Sequence, residues 1–519
     1  MKYGRPLISL YLNGSGFISI VIIFVVRRFR RHPSYPPGPK GWPIIGNVLD
    51  VPVDYGWEAY REMGRKYDSD IVHLEAFGSH IVVLNSAKAA GDLLGKRSNI
   101  YSDRQVTVMA HELTGWHRAV GFIPYGDYWR THRRLFNQHF RAAAIPQYHY
   151  KQIKAVRRLL RSLLDSPEDF LDQIRFTSSA VLLDIVFAFD IKPGDYRIEL
   201  VERAMAVANL IVDGGTQLVD LIPSLKHLPA WLPGAGFKRT AAEWKVHVDG
   251  MFNTPFDEFK ATMGDEKAQE CFTALVLSRR GKHEEHNEEI DQIARNLAGT
   301  AFAAGSDTSV ATLTIFIYAL IQFPHAQAAA QAELDSVLGQ RRLPEISDKD
   351  QLPHVTAIVL EVLRWRPAIP LGIPHRLTVD DEYNGYHIPA GSIVMGNAWA
   401  MLHDEAVYPD PEEFKPERYL NDDGSLRADM PYPAETFGHG RRICAGRHFA
   451  HDILWLAIAH ILTVFKVERP LNDGGQEVTP EVEFTPRFIS VPKPFKCRFT
   501  PRFSGAEALI NISSIATQD

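Results

Sequence analysis

Cysteine is scarce in this chain. Only three cysteines, Cys271, Cys444 and Cys497, occur among its 519 residues, and they cannot make a disulfide framework. The bulk of the chain is therefore expected to face a reducing compartment. The net charge is small, at -5, and gives no reason to expect a nucleic-acid partner. No Gly-x-Gly-x-x-Gly pattern follows a strand-like run, so no flavin or dinucleotide site is indicated.

The rest of the composition is that of an ordinary globular protein, with 45% hydrophobic and 23% charged residues. Neither an internal repeat nor a second linker is evident beyond Gly46, which favours one large domain. Helical periodicity is strongest at about 146–165, 239–262, 290–322, 353–365 and 446–464, and strand-like runs occur at 71–74, 81–84 and 385–395. The sequence predicts a mainly α domain with a small β-sheet region.

The N-terminus carries a largely apolar run at residues 7–26, and about 20 residues suffice to span a bilayer as a helix. The basic run 27–31 follows it directly without a small-residue cleavage site. We therefore expect one uncleaved transmembrane anchor after a short flank, residues 1–6, with the main domain in the cytosol. A cleavable signal peptide is the alternative. Residues 27–45 read as a basic, proline-rich linker, 46–503 as the main domain and 504–519 as a C-terminal tail.

The stretch Phe437-Gly-His-Gly-Arg-Arg-Ile-Cys444-Ala-Gly446 places one cysteine on a glycine-lined loop before an apolar helical run. Helix N-terminal N–H groups and nearby cations lower a thiol pKa, and the thiolate is the form that binds metal. Gly440 and Gly446 are expected to let the backbone approach a flat macrocycle closely, and Arg442 suits a haem propionate. The alternative is an inert, buried cysteine.

The pattern Phe-x-x-Gly-x-Arg-x-Cys-x-Gly resembles the haem-binding loop of the cytochrome P450 superfamily. The resemblance implies the cytochrome P450 fold, haem b as the cofactor and Cys444 as the axial ligand of its iron, with Phe437 in the same loop. Pro36-Pro-Gly-Pro39, after the anchor, is similar to the hinge of microsomal members. The chain as a whole is similar to fungal secondary-metabolism monooxygenases.

A second motif, Ala304-Gly-Ser-Asp307-Thr308, lies inside an apolar helical run, where an acid and a hydroxyl are costly unless they are hydrogen-bonded or functional. It matches the oxygen-activation motif of the same family. The resemblance implies that Thr308 holds a water during oxygen activation and that Asp307 relays protons from solvent. The alternative is a Thr308 hydroxyl satisfied by its own preceding carbonyl.

Two further motifs stand in the family's order. The resemblance implies that Glu361, Arg364 and Arg418 form a buried structural network, and that Trp129 and Arg133 donate to the haem propionates. His375 stands where a third propionate donor is usual, with Arg376 as the near alternative.

Because the chain shows no flavin motif, a separate electron donor is implied. By resemblance this is an NADPH-cytochrome reductase, with cytochrome b5 as a second candidate donor. A cationic docking surface is expected on the cysteine side of the haem, formed by Arg130, Arg133, Arg134, His439, Arg441 and Arg447. The address implied is the endoplasmic reticulum membrane, as a single-pass protein.

Family topology gives the expected substrate pocket: Trp116, Phe302, Ala304, Ile369 and Leu371. These side chains are apolar, which favours a lipophilic small molecule. Terpenoid hydroxylation or successive oxidation is the first prediction, and an indole, polyketide or other aromatic scaffold is the second. An isomerase or dehydratase of the same fold, and a non-catalytic haem sensor or electron carrier, are the rival hypotheses. Residues 221–237 either pack on the domain or form a second membrane contact.

Overall fold

The computed structural model describes residues 34–212, 218–263, 270–279 and 284–515. The predicted membrane anchor at 7–26 lies outside these residues. Within them, one helical segment, Asn287–Gln322, is apolar and long enough to cross a bilayer, but 67% of its most apolar window is buried inside the fold. Such burial is what the central helix of a large core requires.

Helices make up most of the described chain. The α-helices are α1 Gly56–Lys66, α2 Ala87–Ala90, α3 Ser98–Tyr101, α4 Asp127–Phe140, α5 His149–Asp165, α6 Phe170–Phe187, α7 Tyr196–Val212, α8 Leu218–Leu221, α9 Phe237–Ala261, α10 Phe272–Leu277, α11 Glu284–Gln322, α12 Pro324–Leu338, α13 Pro353–Trp365, α14 Ala398–Leu402, α15 Arg447–Val464 and α16 Ala506–Ile515. Short π-helical segments, Gly91–Lys96 and Val108–Leu113, and 3-10 turns such as Gly440–Arg442 connect them.

Within the described residues, the strands form three small sheets. They are β1 Ile71–Ala76, β2 Ser79–Leu84, β3 His375–Arg376, β4 Asp381–Tyr383, β5 Tyr386–Ile388, β6 Ile393–Gly396, β7 Phe465–Glu468 and β8 Arg498–Pro501. The largest sheet has the order β1-β2-β6-β3, with β2 and β6 parallel and the other neighbours antiparallel. The pairs β4-β5 and β7-β8 are antiparallel.

The main core forms around α11 and α15. Both helices are apolar on nearly every side, and from Ile453 to Val464 every residue of α15 is buried. A helix that is apolar all round needs neighbours on all sides, and here α6, α7, α9, α10 and α13 supply them. The mainly helical fold with a small sheet region, predicted from periodicity, is confirmed.

Both ends of the domain extend further than the sequence pattern indicated. Ser34 and Pro37 of the predicted linker accept backbone hydrogen bonds from His387 and His73 at 3.0 and 2.9 Å. At the other end, α16 buries Ala506 and Ile510 completely in the main core. Residues 504–515, predicted to be a tail, are therefore part of the packed domain.

Candidate active site

Cys444 lies between the 3-10 turn Gly440–Arg442 and the start of α15. Its own N–H donates to the Phe437 carbonyl at 2.8 Å, which closes the loop. Burial raises the pKa of the Cys444 thiol, while the N–H groups of Gly446 and Arg447 and the charges of Arg133 and Arg447 oppose that rise. The residue is nonetheless exposed. A sulfur held at a helix N-terminus and open on one side has the geometry of a metal ligand.

Gly440 makes a close contact that was not predicted. It has a φ of +54°, and a Cβ there would lie 2.0 Å from the Leu94 carbonyl oxygen. Glycine is therefore required for the packing of the cysteine loop on the π-helical segment Gly91–Lys96, and the approach to a macrocycle stays a prediction. At Gly446 a Cβ would meet only the Cys444 sulfur, at 4.0 Å, so this position agrees with open space beside the ligand atom.

Two half-buried cations, Arg442 and Arg133, lie in and beside the cysteine loop. Arg442 donates to the carbonyls of Ser102 and Ile123 at 2.7 and 2.9 Å, and its guanidinium lies 4.3 Å from the centre of the Trp129 ring. Burial lowers its pKa to about 9. Arg133 is also desolvated, which lowers its pKa, and no residue in the described part of the chain accepts a hydrogen bond from it.

Arg104 is a functional candidate that the sequence reasoning missed. It is 5% exposed and donates to the carbonyls of Gly121, Ile373 and Pro374 at 2.9, 2.6 and 2.7 Å. Burial, followed by the charge of Arg442, lowers its pKa well below the usual range. It belongs to no motif, so only the tertiary structure identifies it.

His375 lies close enough to Arg104 and Arg442 for their charges to act on it. Its N–H donor, however, is already engaged in a hydrogen bond. Its Nδ1 lies 2.7 Å from the Tyr101 carbonyl oxygen, so Nδ1 carries the proton and Nε2 is the acceptor of the neutral ring. Burial, and then Arg104, lowers the imidazole pKa well below its usual value. His375 can therefore donate to a propionate only if that anion raises the imidazole pKa enough for Nε2 to take up a second proton. Arg376 faces Asp103 at 3.5 Å instead.

The oxygen-activation motif lies in the middle of α11. The Thr308 hydroxyl donates to the Ala304 carbonyl at 2.8 Å, the bond that the alternative interpretation required. Its oxygen lone pairs remain able to accept. Ala304 is exposed although α11 is a core helix, which indicates an open cleft on the face that carries Ala304 and Thr308. At Gly305 a Cβ would lie 2.8 Å from the Leu182 side chain of α6, so Gly305 permits close helix packing.

Asp307 points toward two charged residues on neighbouring helices. Its Oδ1 lies 3.7 Å from Arg175 of α6, and Arg175 pairs with Glu202 of α7 at 3.0 Å. Burial raises the pKa of Asp307 to about 6, with Glu202 adding to the rise and Arg175 opposing it. Because Arg175 and Glu202 are both partly exposed, and the Asp307 side chain is itself 17% exposed, this triad connects the half-buried acid to solvent.

The predicted network of Glu361, Arg364 and Arg418 is present. Arg364 donates to both carboxylate oxygens of Glu361 at 2.7 and 2.9 Å, with both side chains fully buried. Arg418 and the Lys415 N–H also donate to Glu361, at 3.1 and 2.8 Å. Every charge in the network has a partner, as buried ions require. The network connects α13 to the segment that precedes the cysteine loop.

Comparison with known proteins decides the family. The family described as Cytochrome P450 matches residues 36–499. Cytochrome P450 monooxygenase 98 of Postia placenta is 41% identical over 498 residues, which cover 95% of this chain and 96% of the relative. Tryptamine 4-monooxygenase of Psilocybe cyanescens is 39% identical over 508 residues, which cover 96% and 97% respectively. The chain belongs to the cytochrome P450 family.

This P450 is a monooxygenase whose cofactor is haem iron and which takes electrons from a redox partner. The residues present fit that group. Among the described residues, the cations Arg104, Arg442 and Arg133 lie near one another. Asp103 is the one carboxylate whose charge acts on Arg104 and Arg442. The site therefore carries excess positive charge, which two haem propionates would balance. Cys444 would hold the iron, and Arg442, Arg133, Trp129 and Arg104 would hold the propionates. Bound haem supplies the iron centre at which dioxygen is activated.

The predicted pocket residues fall into two groups. Ala304 is exposed and Ile369 and Leu371 are half-buried, so these three remain candidates for contact with substrate. Phe302 is completely buried in the main core, two residues and about 200° around the helix from Ala304. It was wrongly placed in the pocket. Trp116 is 2% exposed and packs between Phe122 and Phe252, so it supports the pocket wall.

The residues predicted to form the cationic docking surface also fall into two groups. Arg130, Arg134 and Arg441 are exposed. Burial lowers the pKa of His439 to about 4, so this residue is neutral at physiological pH and was wrongly included among the cations. Arg133 is turned toward Cys444. The positive surface therefore depends on arginines outside the cysteine loop as much as on the loop itself.

Proposed function

We propose that this P450 oxidises a neutral, lipophilic small molecule, by hydroxylation or successive oxidation in the biosynthesis of a fungal terpenoid. It would draw electrons from NADPH through a separate reductase, while anchored in the endoplasmic reticulum membrane by residues 7–26. The observation that carries oxygen insertion is the intact α11 turn, in which Thr308 faces an open cleft with its acceptor lone pairs free. An isomerase or dehydratase would have no need for the half-buried Asp307 beside it.

The proposed role of α11 is proton delivery. Thr308 accepts a hydrogen bond from a water in the cleft and holds it in place, since its own proton is committed to the Ala304 carbonyl. Asp307, with a pKa of about 6, both gains and loses protons near neutral pH. The proposed relay requires the Asp307 carboxyl to exchange its contact with Arg175 for one with the cleft water. Arg175 and Glu202 keep the carboxyl in reach of solvent.

The substrate class is supported by the apolar character of Ala304, Ile369 and Leu371. An indole, polyketide or other aromatic scaffold is the second candidate, and the similarity to a tryptamine 4-monooxygenase supports it. Expression with a reductase in a host supplied with terpenoid or indole scaffolds, followed by product analysis, distinguishes the two. Products from neither class would refute both substrate assignments.

Reconstitution with a reductase tests the reaction itself. NADPH consumption together with an oxygenated product supports the monooxygenase, whereas product without NADPH consumption indicates an isomerase or dehydratase. The absence of both NADPH consumption and product indicates a sensor or carrier. Thr308→Ala should uncouple NADPH use from product formation. Thr312→Ala is the matched control, because Thr312 makes the same backward bond one turn later, at 2.9 Å to the Thr308 carbonyl. Equal coupling in both variants would exclude the role of Thr308.

Two spectroscopic and kinetic tests address the cofactor and the partner. Cys444→Ala should abolish the carbon monoxide difference band of a reduced haem-thiolate centre, and a surviving band would refute the ligand assignment. Reversing the charges of Arg130 and Arg134 should slow reduction by the reductase at low salt, because exposed charges steer docking. Reduction at the unchanged rate would contradict the docking surface. Cytochrome b5 would be tested as a second donor in the same preparation.

A further inference from the structure

The N-terminal half of α4 carries Trp129 and Arg133, two of the residues that would hold the haem propionates. A helix start is commonly fixed by a side-chain cap, but the N-cap of α4 is Gly126, which has no side chain to supply one. The position of Trp129 and Arg133 therefore depends on what other residues of α4 bind.

His132 lies on α4 between these two residues and is completely buried. Its Nδ1 lies 2.9 Å from the Tyr128 carbonyl oxygen. Because a carbonyl oxygen can only accept, Nδ1 carries the proton and Nε2 is the acceptor of the neutral ring. Burial lowers the pKa of the imidazole, while the bond to Tyr128 and the charge of Glu289 oppose that shift. The ring is therefore neutral at physiological pH, and Nε2 needs a donor.

The donor is Asn296 of α11, which is also completely buried. Its Nδ2 lies 3.2 Å from His132 Nε2 and donates to the Tyr128 hydroxyl at 3.0 Å. Gln292, one turn earlier on α11, donates to Asn296 Oδ1 at 2.8 Å. Both ends of the Asn296 amide are thus engaged, with the N–H groups directed at α4. Because buried polar groups are costly when unpaired, these bonds set where α4 lies on α11.

The same network continues along α11 toward the cysteine loop. The Thr300 hydroxyl donates to the Asn296 carbonyl at 2.7 Å and accepts the Val120 N–H at 3.1 Å. The Val120 carbonyl in turn accepts from Arg442 at 3.4 Å. One stretch of α11 therefore supports residues on both α4 and the cysteine loop that would hold propionates.

We propose that His132 and Asn296 position the haem: the bond from Asn296 Nδ2 to His132 Nε2 fixes α4 on α11 and thereby holds Trp129 and Arg133 in place for the propionates. His132 is a positioning residue, since it acts through its neighbours on α4. Because α11 also carries Thr308, this bond fixes the haem relative to the residue that faces the open cleft. The proposal rests on the assignment of Trp129 and Arg133 to the propionates.

The test measures the rate of haem transfer from the full-length holoprotein to an excess of an acceptor apoprotein. Two substitutions at residue 132 separate the two bonds of the imidazole. His132→Gln places an amide oxygen near the position of Nε2, so it keeps the bond from Asn296 and loses the bond to Tyr128. His132→Asn places its amide near the position of Nδ1, so it keeps only the bond within α4.

His132→Gln should release haem at nearly the wild-type rate, and His132→Asn about tenfold faster. A tenfold change corresponds to about 1.4 kcal/mol, which is the size of effect expected when a buried donor loses its partner. A His132→Asn protein that purifies without haem, beside a His132→Gln protein that retains it, would also support the proposal. Equal rates for the two variants would overturn it.

Asn296→Leu removes the same bond from the α11 side and should also speed haem transfer. The double variant Asn296→Leu with His132→Asn should be no faster than Asn296→Leu alone, because the bond between the two residues can be lost only once. Rates that multiply in the double variant would show that the two residues act independently, and would overturn the proposal.

Gln327→Leu controls for a general loss of stability. Gln327 of α12 exchanges two buried hydrogen bonds with Val467, at 2.9 and 2.8 Å, outside the candidate active site. This variant should lower the unfolding midpoint without changing the rate of haem transfer. If it releases haem as fast as His132→Asn, the effect at residue 132 is one of stability alone and the proposal fails.

Arg133→Leu tests the propionate assignment separately and should speed haem transfer by itself. An unchanged rate in Arg133→Leu would overturn that assignment and the proposal with it. A faster rate in Arg133→Leu beside an unchanged rate in His132→Asn would leave the assignment standing and overturn only the positioning role of His132.

Discussion

Replacing Asp307 by asparagine should stabilise the fold while impairing the reaction. In the folded protein burial raises the pKa of Asp307 from 3.8 to about 6. At 1.36 kcal/mol for each pKa unit, keeping this carboxyl ionised at pH 7.5 costs the folded state about 3 kcal/mol. Asparagine has the same shape and no charge, so it removes most of that cost. Arg175 keeps an ion-pair partner in this variant, because Glu202 lies 3.0 Å away.

The pH dependence gives the sign of the effect. Because the folded-state pKa lies above the unfolded-state value, the folded protein binds more protons between pH 3.8 and about 6, and wild-type stability recovers as the pH falls through that window. The advantage of Asp307→Asn should therefore shrink to about half by pH 5. The assay is the unfolding midpoint of both holoproteins at pH 7.5 and pH 5, together with the ratio of product to NADPH consumed.

The control is Asp335→Asn, which removes an acid that pairs with Arg502 at 2.7 Å on a partly exposed surface. This variant should not be stabilised. If Asp307→Asn lowers the midpoint, or raises it equally at both pH values, desolvation does not dominate at this site. Full coupling in Asp307→Asn would refute its role in proton transfer.

Three further predictions concern the framework of the site. Glu361→Ala should destabilise the protein by about 3–5 kcal/mol, because it leaves the fully buried Arg364 without its carboxylate; denaturant unfolding measures this, and a loss below about 1 kcal/mol would contradict it. Gly440→Ala should prevent stable haem incorporation, since its Cβ would meet the Leu94 carbonyl at 2.0 Å; a normal haem content would show that the loop can shift. Arg104→Met removes three hydrogen bonds to backbone carbonyls, so it should lower the stability of the fold as well as speed haem transfer to an acceptor apoprotein, and an unchanged transfer rate would exclude Arg104 from propionate binding.

Much of this molecule could be predicted from local pattern. The long helices at 290–322, 353–365 and 446–464 were placed within a few residues, except that α11 begins at Glu284, because apolar periodicity over several turns reports directly on burial. The cysteine loop could also be predicted, since it is a short pattern of residue types at fixed spacing. The Glu361 network came from the family resemblance, because a Glu-x-x-Arg pair alone is common on solvated helices. The assignment of Phe302 to the substrate pocket was wrong for the opposite reason. Its helix is apolar on all faces, so the sequence does not show which face meets the cleft.

Chemistry carried by single residues outside any motif came only from the tertiary structure. Arg104 donates to backbone carbonyls, and Arg175 pairs with the Asp307 carboxylate. These contacts join segments that are far apart in the chain, so no local spacing of residues encodes them. The same holds for the close packing of Gly440 on Leu94 and for the neutral state of His439, both of which depend on what packs against them. The sequence by itself determined the fold class and the order of the motifs, because those depend on local periodicity and residue type, and the family resemblance that the motifs carry predicts Cys444 as the haem ligand. The protonation states and the open face of α11 depend on the electrostatic field and the packing of the folded chain, and only the tertiary structure decided them.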